Sequence, residues 1–236
     1  MKLTIPEMRI DRSNYILLLL FIIFVFSSCE KTTVTNKATA DVFIKSIVYQ
    51  GDTLFGIAHS VFSYNGISQV SVKNPQGDTL LLTSKVDDGI SFFKDPSINS
   101  GDFSTSLPGS GLYSYRVTFK DKTQTTYTNT LGANSLLPAK IDSFDRSADG
   151  QFIVLKWNPV NEAQGYQVRI VKGNTEVIPA KSYYELNPLR VQFPVSTFTS
   201  FSPGTFTVEL DALLFESAAH QQLQALSVSK DSIQLQ

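Results

Sequence analysis

The feature that most constrains this chain is a period of two. From Ala40 onward apolar side chains recur at alternate positions in short runs, and Gly, Pro, Asn or Asp closes most of them. A strand turns successive side chains to opposite faces, so such runs bury one face and wet the other. Leu112–Phe119, LYSYRVTF, shows the alternation most cleanly. No stretch carries a convincing long helical period. The chain therefore reads as all-β. With 17 Phe, 9 Tyr and only 1 Cys, its cores must hold by burial rather than by disulfides.

One segment breaks the alternation. Tyr15–Cys29, YILLLLFIIFVFSSC, is unbroken in apolar character from Ile16 to Phe26. That run suits the apolar core of a signal peptide and falls short of the ~20 residues that span a bilayer. Lys2, Arg9 and Arg12 precede it, against Glu7 and Asp11, and translation starts at Met1 or Met8. A lone cysteine in an exported chain has no internal partner, and lipidation accounts for it. Phe26-Ser27-Ser28-Cys29 resembles the lipobox of bacterial lipoproteins, with Phe26 where leucine is usual. The resemblance implies cleavage before Cys29 and a lipid on its thiol, and two or three acyl chains hold a protein stably in a membrane. Two other readings stay open here: an incidental cysteine near an ordinary cleavage site, and an uncleaved short anchor. Ser28-Cys29-Glu30-Lys31 also resembles lipoprotein starts of Bacteroidota.

The expected organisation is a signal peptide over 1–28, a polar tether over 29–39 (Glu30–Thr39, EKTTVTNKAT), and β-sandwiches over 40–133 and 138–236. Without the leader's charges the chain keeps 17 basic and 19 acidic residues, and no basic stripe is visible. Nucleic acid is therefore not an expected partner.

In the first domain, Val42, Ile44 and Val48 mark one face of a first strand, followed by strands over Leu54–Phe62 and Ile67–Val72. Asn74-Pro75-Gln76-Gly77-Asp78 turns the chain into a partner strand, Thr79–Thr83. Ile90–Phe93 and Phe103–Leu107 are shorter strands, and Lys120-Asp121-Lys122 joins Leu112–Phe119 to Thr123–Leu131. This pattern, with Gly111-Leu112-Tyr113 before the penultimate strand, resembles a bacterial immunoglobulin-like domain.

In the second domain, Trp157-Asn158-Pro159-Val160 and Ala163-Gln164-Gly165-Tyr166-Gln167-Val168 resemble the second-to-third strand crossing of a fibronectin type III domain. Phe201–Ala212 resembles its entry into the sixth strand, with Phe206 in place of the corner tyrosine. The resemblance implies a buried Trp157 and a buried Phe206 that lacks the hydroxyl-to-backbone bond. Glu216–Gln224 is expected as a long loop or a turn or two of helix. Val228, Ile233 and Leu235 are expected in a closing strand broken at Lys230-Asp231.

Chemistry is sparse. His59 and His220 stand one in each domain with no neighbouring ligand pattern, and no metal or cofactor is expected. No Gly-x-Ser-x-Gly elbow or phosphate loop is present, and Gly109-Ser110-Gly111 reads as a turn. Asp87, Asp88, Asp95 and Asp102 lie in a loose segment but lack EF-hand spacing. Adjacent strand residues face opposite ways, so one of Tyr183 and Tyr184 is expected to be exposed, where it either caps the sandwich edge or offers a ring for a sugar to stack on. Phe92-Phe93 is ambiguous in the same way.

The expected function is a non-enzymatic protein-interaction or display module of the bacterial envelope. It would be anchored through lipid on Cys29, at the outer membrane, facing the periplasm or the surface. Its partners would be the membrane and an envelope or extracellular protein. The alternative is a carbohydrate-binding surface lipoprotein associated with glycan uptake.

Overall fold

The computed structural model describes residues 36–84, 89–217, 219 and 222–235. Cys29, Asp87, Asp88 and His220 lie outside the described residues.

The strands are β1 (Thr39–Tyr49), β2 (Asp52–Phe62), β3 (Ile67–Lys73), β4 (Thr79–Leu81), β5 (Thr83–Ser84), β6 (Ser91–Lys94), β7 (Phe103–Ser104), β8 (Gly111–Phe119) and β9 (Gln124–Leu131). After a linker follow β10 (Ile141–Arg146), β11 (Phe152–Trp157), β12 (Gly165–Lys172), β13 (Thr175–Tyr183), β14 (Arg190–Pro194), β15 (Gly204–Phe215) and β16 (Leu223–Leu235). Among the described residues a 3₁₀ turn (Ile98–Ser100) and a short helix, α1 (Ser196–Thr199), interrupt them. The chain is all-β, in two sandwiches, as the alternation implied.

The cores are separate. One gathers Val42, Ile44, Val61, Val70, Tyr115 and Phe119; the other gathers Trp157, Tyr166, Val168, Phe193, Phe206 and Leu210. The sheets beneath them are continuous. A nine-stranded sheet runs β13-β12-β15-β16-β1-β2-β6-β5, with β7 added on β2. Its join is a parallel pairing of β1 with β16, Ile44 opposite Ala225 and Ile47 opposite Val228. Ile44 belongs to the first core and Ala225 to the second. Registered neighbours share a face, so both cores lie on the same side of the long sheet. Each is roofed by a smaller sheet, β4-β3-β8-β9 over one and β10-β11-β14 over the other.

The linker is pinned to this join. Leu136 is buried with the second core, while Ser46 of β1 donates to the Leu136 carbonyl. Ser229 of β16 donates to the Ala139 carbonyl at 2.7 Å. The parallel pairing of β1 with β16 covers a strand edge on each that would otherwise invite another chain.

Three expectations need correction. Thr79–Thr83 is not one strand: β4 pairs with β3, and after Leu82 the chain changes sheets so that β5 pairs with β6. Leu82 is buried at that crossing. Phe103–Leu107 shrinks to the two residues of β7. The closing strand is not broken at Lys230-Asp231: β16 runs unbroken from Leu223 to Leu235, because β15 pairs with it along its length. Val48 keeps the parity of Val42 and Ile44 but stands exposed, past the edge of the first core.

Trp157 and Phe206 are buried as the resemblance implied. Phe198 and Phe201 meet the Phe206 ring edge-on at 5.3 and 6.3 Å, so an aromatic cluster occupies the corner that a hydroxyl would otherwise tie down.

Candidate functional site

Tyr183 and Tyr184 separate as strand geometry requires. Tyr183 ends β13 opposite Tyr166 and packs against the second core, with the Lys181 ammonium 5.4 Å from its ring centre. Tyr184 turns the other way and is 47% exposed. Its ring lies across Gly165, where a Cβ would come within 2.8 Å of Tyr184 Cδ1. Only glycine permits that approach. Phe215 supports the ring from 6.1 Å.

Two loops frame the space beside Tyr184. Residues 158–164 join β11 to β12 and are held by the Val160 amide donating to the Tyr166 hydroxyl at 2.9 Å. The Gln164 amide donates to the Leu213 carbonyl at 2.8 Å, and Gln164 Oε1 accepts from the Phe215 amide at 3.1 Å. Residues 184–189 form the other wall. The groove between them encloses about 680 Å³, within the usual ~300–1,000 Å³ of ligand sites. Trp157, Pro159 and Leu186 floor it, and Gln164, Glu185 and Asn187 supply polar groups. The sequence names Gln164 only within the strand-crossing motif and carries no sign of Glu185 or Asn187, since only the fold brings the two loops together.

A second groove of about 690 Å³ lies where the sandwiches join. Ile47, Val48, Ile98, Ala139, Ile141 and Val228 line it, with Lys230 and Asp231 at the rim. Neither groove is lined by His59 or by the buried Asp41 and Asp211.

His59 lies inside the first sandwich instead. Its Nδ1 is 3.0 Å from the Tyr115 hydroxyl, which donates to the Asp41 carbonyl at 2.9 Å. A tyrosine has one proton to give, so hydrogen counting assigns the donor in the first contact to His59 Nδ1–H. Burial, and then the charge of Lys94, push the His59 pKa down to about 4, so the ring is neutral. Asp41 beside it accepts from the Leu223 amide at 2.8 Å and from Asn129 at 3.3 Å. Burial outweighs these bonds and raises its pKa to about 6. This network joins β1, β2, β8 and β9 to the start of β16; it is internal bracing.

Asp95 pairs with Lys45 at 2.7 Å, and Asp102 pairs with Lys94 at 2.8 Å while accepting from the Ser97 amide. These two carboxylates are spent on ion pairs. Among the described residues no group of three or more metal-ligating side chains gathers. Phe92 is buried and Phe93 half-buried, so both are less exposed than Tyr184.

No known family matches the sequence, and no curated protein does. Among solved structures the chain is similar to a two-domain fibronectin type III segment of chicken tenascin, at 12% identity, with 85% of this chain and 98% of that one covered and a TM-score of 0.29. It is similar to fibronectin(III)-like modules of Clostridium thermocellum CbhA, at 11% identity, 84% and 92% coverage and a TM-score of 0.28. The chicken interferon gamma receptor alpha chain is similar at 14% identity, 86% and 99% coverage and a TM-score of 0.31.

Proposed function

We propose that this protein is a non-enzymatic interaction module of a bacterial envelope, held at the outer membrane by lipid on Cys29. The observation that carries the reading is the parallel β1–β16 pairing. It turns two sandwiches into one stiff body, and stiffness lowers the ordering cost of presenting loops to a partner. The groove beside Tyr184 is the face presented, and an envelope or extracellular protein is the partner it serves. Its walls are neutral or apolar apart from Glu185, as suits docking more than acid–base work.

A glycan is the second reading, favoured by one observation. The Tyr184 ring is accessible, with Gln164, Glu185 and Asn187 lining the same groove, as sugar stacking with edge hydrogen bonds requires.

Membrane fractionation tests the anchor. The wild-type chain should pellet with membranes and Cys29→Ala should move to the soluble fraction; an unchanged pellet would sink lipid anchoring. Protease shaving of intact cells then separates a surface-facing from a periplasmic module. On a glycan array, Tyr184→Ala should cost about tenfold in affinity if a sugar stacks there, while equal binding would leave the protein reading alone.

A further inference from the structure

The two most closely paired exposed aromatic rings of the described residues do not lie in either groove. Tyr64 is 89% exposed and Phe62 37%, and their rings meet edge-on at 4.8 Å. Both sit at the end of the first sandwich where the described chain begins. Phe62 ends β2 opposite Thr39, the first residue of β1. Ser63 donates to the Lys37 carbonyl at 2.5 Å, tying the turn that carries Tyr64 to the residues ahead of β1. The β8–β9 turn joins them: the Lys120 amide donates to the Gly66 carbonyl at 2.8 Å, and Asn36 donates to Asp121 at 2.8 Å and to Thr123 at 2.7 Å.

We propose that this end is a membrane-resting surface, with Phe62 and Tyr64 set into the headgroup layer of the bilayer. The inference rests on the lipid anchor proposed for Cys29. Three observations select a bilayer as the occupant. Asn36 follows Cys29 by seven residues, and a fully extended chain of that length reaches at most about 25 Å. A lipid on Cys29 therefore keeps this end, rather than the Tyr49 end, beside the membrane. Exposed tyrosine with a polar tip is the side chain enriched at headgroup depth. Lys37 and Lys122 are exposed at the same end, so cations flank the rings as anionic headgroups favour. The carboxylate among these described residues, Asp121, already accepts from Asn36 and Thr123. The aromatic pair supplies the insertion, and the lysines orient it.

A surface resting on lipid holds the module at a set angle to the membrane. The register carries the Tyr184 groove to this same end, since Gly165 stands opposite Leu213 and Phe215 opposite Leu223, so the partner it serves is one held close to the bilayer.

The test uses the full lipidated chain in vesicles of phosphatidylethanolamine and phosphatidylglycerol, with and without brominated acyl chains. Tyr64→Trp places a reporter on the surface. Tyr49→Trp places one at the far end of β1, about 33 Å away at the strand rise. The buried Trp157 contributes the same background to both. Brominated vesicles should quench the Tyr64→Trp emission about twofold and leave Tyr49→Trp unchanged. Flotation of the vesicles reports the anchor independently. Protein that floats, with both reporters quenched equally or not at all, overturns this surface and leaves the anchor standing; the aromatic pair would then be free for a protein or glycan. Protein that fails to float overturns the anchor and this inference together.

Discussion

The two sandwiches solve one problem in different ways. Neither has a disulfide, so each must make its interior specific by side-chain choice alone. The first buries a polar chain, His59 to Tyr115 to the Asp41 carbonyl, with Asn129 bonded to Asp41. The second buries rings: Trp157 stands edge-on to Tyr166 at 5.3 Å, and Phe198 and Phe201 surround Phe206. A satisfied polar network is directional and fixes one arrangement, at the risk of a large loss if one member goes. Aromatic packing contributes more area and tolerates an unmet polar atom. Trp157 Nε1 has no hydrogen-bond partner among the described residues. The first core is thus specified by bonds and the second by shape.

Removing the central ring of the second core should have the largest effect. Trp157→Ala should cost about 3–5 kcal/mol in urea unfolding, and a loss under ~1 kcal/mol would mean the ring is not central to that core.

Acid should attack the first core next. The folded pKa of His59, about 4, lies below its ordinary 6.5, so the unfolded chain binds the extra proton between those values. Its contribution is full above pH 6.5 and drains as pH falls toward 4, by up to about 3 kcal/mol. Asp41 pulls the opposite way, because burial raises its pKa to about 6. A comparison with His59→Gln therefore isolates the histidine: wild type should lose more stability than the variant between pH 7 and pH 4.5. Parallel losses would place the acid sensitivity elsewhere.

Tyr115→Phe leaves the ring and removes the shared hydroxyl. It strands His59 Nδ1–H and the Asp41 carbonyl and should cost about 2 kcal/mol at pH 7. A neutral result would show that the network adds specificity without stability.

The smallest expected effect sharpens the contrast from the second sandwich. Asp211 is buried on β15, its Oδ1 has no partner among the described residues, and burial followed by Glu209 raises its pKa to about 7. The folded state then binds more protons than the unfolded one between pH 3.8 and 7, so stability falls as pH rises through that window. Asp211→Asn should gain about 1–2 kcal/mol at pH 8, with the gain fading toward pH 4. A gain that does not change with pH would rule out the charge as its cause.

Much of each sandwich was legible because strands write their faces locally. Phe152–Trp157 was readable as β11 to the residue, and alternation located β8 and β9 within one residue. That one of Tyr183 and Tyr184 would be exposed followed from strand parity; that it is Tyr184 came from the packing of Tyr183 on the second core. The split of Thr79–Thr83 was not readable, since Leu82 has the same apolar character whichever sheet receives it. Gln164, Glu185 and Asn187 carried no signal of their own, because they converge only when β12 and β13 bring two loops together. Tyr64 did leave a trace, an aromatic residue directly before the Asn65-Gly66 turn, where side chains point outward.

By itself the sequence determined the all-β class and the lone cysteine as the place where a lipid could attach, and its resemblance to a fibronectin type III domain implied the burial of Trp157 and Phe206. The first two depend on side-chain period and on chemistry within a few residues. Tertiary structure alone decided that β16 would pair with β1, that the linker would be pinned through Ser46 and Ser229, and that Asp41 would receive the Leu223 amide from the other end of the chain. Such pairings are set by which strand edges remain unmet once each sandwich has closed, and no local pattern records that remainder.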